Sequence, residues 1–181
     1  MPSRELDPIT RLTTDAIGEP GQRTFYLQAA SGVDQVTLVV EKEQVRALAE
    51  RLATVLAQLA DERPEDPDEA QAAEATDLAL AEPLDPDFRV GQLSLDYDPG
   101  RDRFVMVVTE LLADDEEEEP EELRDPQEVR LWVTRPQLRV LARHGAEVVA
   151  RGRPPCPLCG NPLDPSGHIC PAQNGHRPVV A

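Results

Sequence analysis

The chain has 181 residues and a formal net charge of -17, a length that suits one ordinary domain with an appendage. No apolar run approaches membrane-spanning length, and Met1-Pro2-Ser3-Arg4-Glu5 lacks the pattern of a signal peptide. A charge of this sign opposes broad contact with nucleic-acid phosphates, and three cysteines confined to one stretch fit a reducing compartment, so the cytoplasm is the expected location.

The acidity is local. Residues 61–87 carry eleven acidic side chains and one arginine, and residues 113–126 carry nine and one. The rest of the chain is close to neutral. Both segments are proline-punctuated and low in complexity, so they read as solvated acidic loops that keep the protein soluble. An acidic arm for a basic partner or for metal ions is the sharper reading.

In chain order, residues 1–10 read as a frayed arm. Residues 12–17, 24–29 and 35–41 read as strands, the last placing Val36, Leu38 and Val40 on one face. The turn Gly18-Glu19-Pro20-Gly21 joins the first two. The period then lengthens. Val45, Leu48, Ala49, Leu52, Val55, Leu56 and Leu59 form one apolar stripe, which predicts a helix over 42–60. Residues 69–80 are alanine-rich and predict a marginal helix. Strands resume at Phe88, with Leu93, Leu95 and Tyr97 on one side. The run Phe104-Val105-Met106-Val107-Val108 is apolar on both faces and predicts a central strand covered on both sides. Residues 128–134 read as a further strand. Thr134-Arg135-Pro136-Gln137 has capping-box spacing and opens a helix to about residue 150.

An internal repeat links these elements. Residues 35–49 and 128–142 align at a constant offset of 93, matching Val36/Val129, Leu38/Leu131, Val40/Val133, Gln44/Gln137, Arg46/Arg139, Leu48/Leu141 and Ala49/Ala142. The expected fold is therefore α+β: an antiparallel sheet built from two β-β-β-α repeats with a C-terminal zinc knuckle. The duplicated domain spans 1–151 and the tail 152–181. Arg46 and Arg139 would be related positions on the exposed side of the helices.

The tail holds all three cysteines and two of the three histidines. Cys156-Pro-Leu-Cys159-Gly160 lets two thiolates reach one metal from a tight turn, and the glycine relieves crowding there. In His168-Ile169-Cys170, residues i and i+2 of an extended segment point the same way, so both can face the first pair. Cys156, Cys159, His168 and Cys170 make a closed Cys3His zinc set, which is structural rather than catalytic because no position stays open. His176 is the rival fourth ligand. The tail has few apolar residues of its own, so metal would supply most of its folding energy.

Elsewhere the signals are weaker. The turn from Gly18 to Arg23 can present amides and an arginine to an anion, although no G-K-[ST] follows and a plain turn is the simpler reading. Trp132 lies opposite the helix-facing side and is either an exposed anchor or a residue covered by a loop or the tail. His144 falls on the polar side of the last helix and is expected at the surface. No catalytic triad or paired-carboxylate pattern is evident.

The segments C-P-L-C-G-N-P-L-D-P-S-G-H-I-C-P-A-Q-N-G, G-E-P-G-Q-R-T-F-Y-L-Q-A and F-R-V-G-Q-L-S-L resemble an actinobacterial family catalogued as domain of unknown function 3090. The resemblance covers nearly the whole chain. It implies a cytosolic actinobacterial protein, favours His168 over His176, and brings no established activity. It also implies genomic neighbours resembling a histidine phosphatase and a kinase. The expectation is a non-enzymatic binding or adaptor protein with structural zinc, acting on a protein partner or a second copy of the chain and not on a membrane. One alternative is an enzyme or accessory subunit of phosphate-ester metabolism using the Gly18 turn. Another is nucleic-acid binding through Arg151, Arg153 and Arg177.

Overall fold

A computed structural model of the chain describes residues 3–60, 64–112, 125–152, 156–160, 163, 168–173 and 178–179. The body contains β1 (Ser3–Leu6), β2 (Arg11–Ile17), β3 (Thr24–Ser31), β4 (Asp34–Val40), α1 (Lys42–Ala60), α2 (Pro67–Glu74), β5 (Phe88–Asp98), β6 (Arg103–Glu110), β7 (Glu128–Val133) and α3 (Arg135–Ala150). The tail adds a short pair, β8 (His168–Ile169) and β9 (Pro178–Val179). The fold is α+β, with seven strands of the body in the order β1-β7-β6-β5-β4-β3-β2.

The sheet is mixed, which corrects the expectation of an antiparallel one. β4 pairs with β5 in parallel, and so does β1 with β7, while the other neighbours are antiparallel. The cause is the crossover. A helix between two adjacent strands returns the chain to the edge it left, and the next strand must run the same way. Here α1 and α2 lie between β4 and β5.

β5 belongs to both halves of the sheet. Phe88 and Arg89 pair with β4, and the strand then continues against β6, with a bulge between Val90 and Gln92. The bulge exchanges faces. Phe88 and Val90 point into the core before it, and Leu93, Leu95 and Tyr97 after it. Only glycine fits at position 91, because a Cβ there would lie 2.9 Å from the Leu111 Cα.

β1 and β2 stand at opposite edges yet are joined by residues 7–10 alone. Seven flat strands would put the edges about 29 Å apart, and this connection spans about 18 Å at most. The sheet is therefore curled. Residues 3–10 are not a frayed arm: Leu6 and Ile9 are buried, and the Trp132 Nε1 donates to Glu5 at 2.6 Å. The four residues of β1 are ordered because β7 offers them an edge to pair with.

α1 and α3 lie against each other, and α3 also packs on β2. Val45 and Leu52 of α1 join Leu138, Leu141 and Val148 of α3 in one core with Leu27, Leu38, Met106 and Leu131 of the sheet. Thr134 and Gln137 form the expected capping box, with the Gln137 amide accepting from the Thr134 N–H at 2.9 Å. Gln44 does the same for α1, accepting from the Glu41 N–H at 2.8 Å. Each glutamine then donates across the fold, Gln44 to the Val90 carbonyl at 3.1 Å and Gln137 to the Ile9 carbonyl at 2.8 Å.

Two further expectations change. β6 is covered on one face: Phe104, Met106 and Val108 are buried, whereas Val105 and Val107 are half-buried. Both large helices pack on the face of Phe104, Met106 and Val108. The described part of the first acidic segment, residues 64–87, is docked rather than a solvated loop. It includes α2, whose Ala73 is buried, and its backbone bonds to the sheet through Thr13, Gln28 and Thr37. α2 ends six residues before the predicted limit at Leu80. Most of the second acidic segment, residues 113–124, lies outside the described residues. Among the described residues, no helix is long and apolar enough to cross a membrane.

Candidate metal centre

After α3, the chain reaches Cys156 and turns at once. The Gly160 N–H donates to the Cys156 carbonyl at 2.9 Å, closing a loop that brings Cys159 back towards Cys156. Gly160 has a φ of 75°, left-handed backbone that a side chain disfavours. This explains the glycine directly after the C-x-x-C pair. β8 delivers Cys170 immediately after Ile169, and a 3-10 turn at Pro171–Gln173 follows.

The three sulfurs meet. Those of Cys156, Cys159 and Cys170 all lie within 4.8 Å of one another. Cys156 and Cys170 are 2% and 0% exposed, and their sulfurs are 3.8 Å apart. A disulfide needs about 2.05 Å, so this pair is not one, and none of the three cysteines is in a disulfide. Two thiolates bound to one tetrahedral zinc, each at about 2.3 Å, would stand about 3.8 Å apart. The donor set therefore fits a metal ion without rearrangement of the Cys156–Cys170 pair. Leu163 is buried against these cysteines and shields them from water. Sequence reasoning missed Leu163; a lone leucine between two prolines in a polar loop was the available signal.

Of the fourth-ligand candidates, the backbone of His168 is in β8, while its side chain and the whole of His176 lie outside the described residues.

The other sequence candidates are scattered. The turn after β2 is a hairpin connection, with the Gln22 N–H donating to the Glu19 carbonyl at 2.8 Å and positive φ at Gly18 and Gly21. A Cβ on Gly18 would meet the Gln22 carbonyl oxygen at 2.7 Å, so tight turning accounts for that glycine. Trp132 is half-buried, capped by the Arg101 guanidinium 4.0 Å from the ring centroid. His144 is buried, contrary to expectation, and its Nε2 has no hydrogen-bond partner among the described residues. It shares the α3 face of Val140 and Val148 that packs inward. Arg46 pairs with Glu43 at 2.7 Å, and Arg139 pairs with Glu65. Arg151 reaches Asp15 and Glu147, each at 3.9 Å, while Arg153 and Arg177 lie outside the described residues.

No curated protein and no solved structure matches the chain. A family model described as "Protein of unknown function (DUF3090)" matches residues 4–170, from the second residue of β1 to the last cysteine of the cluster, and the chain belongs to that family.

Proposed function

We propose that this protein is a non-enzymatic binding or adaptor protein whose tail is a structural zinc module, with Cys156, Cys159, His168 and Cys170 as ligands. The observation that carries the reading is the grouping of three cysteine sulfurs within 4.8 Å, two of the cysteines buried. A fourth protein ligand would close the coordination sphere and leave no position for substrate or water. The tail is poor in apolar side chains, so metal binding would be its main source of folding energy. Cysteines outside any disulfide suit the cytoplasm.

We read the body, residues 1–151, as two copies of a β-β-β-α unit. The paired roles of Gln44 and Gln137 support this: each caps its own helix and then bonds the first strand, or its approach, in the other unit. The binding target is a protein partner or a second copy of the chain. Nucleic acid is disfavoured by the net charge of -17.

Cobalt(II) substitution tests the closed site. The expected spectrum is that of tetrahedral cobalt with three thiolates and one imidazole, unchanged by azide. A spectrum that shifts on adding azide would reveal an open position and overturn the structural assignment. For the binding role, the full chain should retain one stoichiometric protein partner or sediment as a dimer; a monomer that retains nothing would oppose it.

A further inference from the structure

A cleft of about 850 Å³ runs along the groove between α1 and α3. Its floor is built from alanines: Ala49, Ala53 and Ala57 on one helix, Ala142 and Ala146 on the other. They recur every four residues, so each set falls on one helix face. A methyl group in place of a leucine side chain leaves the furrow open. Leu56 and Val149 add apolar wall.

Arginines mark the ends of the groove, each in an ion pair. α3 begins where α1 ends, because Arg139 pairs with Glu65 and Arg135 donates to the Pro64 carbonyl at 2.9 Å. Arg139 and Arg143 therefore stand along one side, and Arg46 marks the far end. From Arg46 to Ala60 the groove is about 21 Å long at the rise of an α-helix. Four arginines and two glutamates line it, and each arginine is paired with a carboxylate: Arg46 with Glu43, Arg135 with Asp102, Arg139 with Glu65 and Arg143 with Glu74.

Arg139 and Arg143 are one helical turn apart, an unfavourable spacing for like charges. Each is held by one carboxylate, from Glu65 and from Glu74 respectively. A guanidinium has five N–H donors and one carboxylate engages two at most, so donors remain for a second anion. The ion pairs are partly exposed and contribute little, so sharing or exchanging a partner costs little.

We propose that this cleft binds an amphiphilic anion, with an apolar body on the alanine floor and a carboxylate or phosphate head held by Arg139 and Arg143. The volume falls in the range of small-molecule sites, about 300–1,000 Å³, and mostly apolar walls with a few convergent polar groups are typical of them. The inference deepens the binding reading above by giving it a site and a ligand class. The metal tail takes no part in it.

The test uses the full-length protein and anilinonaphthalene sulfonate, an apolar dye with an anionic head. The dye should saturate at about one per chain. Laurate or dodecyl phosphate should displace it, the stronger competitor naming the headgroup, and dodecanol should compete at least about tenfold more weakly because it lacks the charge. Arg139→Ala combined with Arg143→Ala should weaken the anions by about tenfold or more and leave dodecanol unchanged. Ala53→Trp, on an exposed floor position, should block all of them with the helical spectrum intact, while Thr54→Trp, beside it but outside the groove, should bind as the wild type does. Equal competition by dodecanol, or undiminished binding in Ala53→Trp, would overturn the proposal. So would a two-chain species that Ala53→Trp splits, which would assign the groove to a second copy. Retention of a protein partner by Ala53→Trp, without anion binding in the wild type, would leave the adaptor reading standing and sink this one.

Discussion

Replacing Gln28 by alanine removes the side chain that fastens the 64–87 segment to the sheet. Gln28 is 0% exposed. Its Nε2 donates to Thr37 Oγ1 and to the Ala81 carbonyl, each at 3.0 Å, and its Oε1 accepts from the Ala81 N–H at 2.8 Å and from Arg11. Three of these are neutral hydrogen bonds, each contributing about 1 kcal/mol, and the one from arginine contributes about 1.5–3 kcal/mol. Thr37 is buried, but Arg11 and Ala81 are only partly so and Arg11 keeps its bonds to Ala79 and Gln35, so the expected loss falls below the sum of these contributions, at about 3–5 kcal/mol. In thermal unfolding that is a fall of about 10 °C for a chain of this size. Urea titration gives the free energy, and hydrogen exchange locates it: amides of residues 78–87 should lose protection before the strands do. Gln28→Glu is the sharper variant. It keeps the shape but puts a carboxylate oxygen against the Ala81 carbonyl, so it should also destabilise. A loss below about 1 kcal/mol, with unchanged exchange in 78–87, would refute the docking of this segment.

Other substitutions probe separate joints of the fold. Gly91→Ala should cost about 1–3 kcal/mol in urea unfolding, since its Cβ meets backbone atoms that have no room to give. His144→Leu should hold or raise stability by up to about 1 kcal/mol, because it removes a buried Nε2 without a partner among the described residues; a loss near 2 kcal/mol would reveal a bond to that nitrogen. The hydrogen bond from Arg143 holds the Glu74 carboxyl below the usual glutamate range. A depressed folded-state pKa stabilises above the unfolded value, and the gain disappears as pH falls through the folded one. Glu74→Gln should therefore flatten the acid limb of the stability profile and leave the neutral-to-basic limb parallel to wild type.

The elements themselves were legible because they are local. The stripe from Val45 to Leu59 defined α1, and Thr134 with Gln137 marked the start of α3, since caps and periodicity reside in neighbouring residues. Pairing partners do not. Nothing in Ser3-Arg4-Glu5-Leu6 announces a parallel partner at residues 128–131, and the curl follows only once both edges are known. The docking of residues 78–81 was hidden for a related reason: it uses backbone carbonyls, and the side chains there give no sign of it. His144 was misread because it was counted as polar on a helix whose neighbours reach round to cover that side. Gln44 and Gln137 were legible as a coincidence, but their shared capping role emerged only from the hydrogen bonds. In the tail, C-x-x-C-G and the third cysteine were readable as a donor set, and the spatial meeting of the sulfurs fits that reading. Leu163 covers them from a loop with no periodicity to reveal it.

The measurement that tests the central claim most directly is metal content by elemental mass spectrometry on full-length protein purified without chelator, beside Cys156→Ser. The account expects about one zinc per chain in the wild type and a large loss in the variant, because removing one thiolate breaks a buried set whose folding depends on the ion. Wild-type protein without stoichiometric metal, or a Cys156→Ser variant that retains it, would contradict the assignment of Cys156, Cys159 and Cys170 to a metal centre.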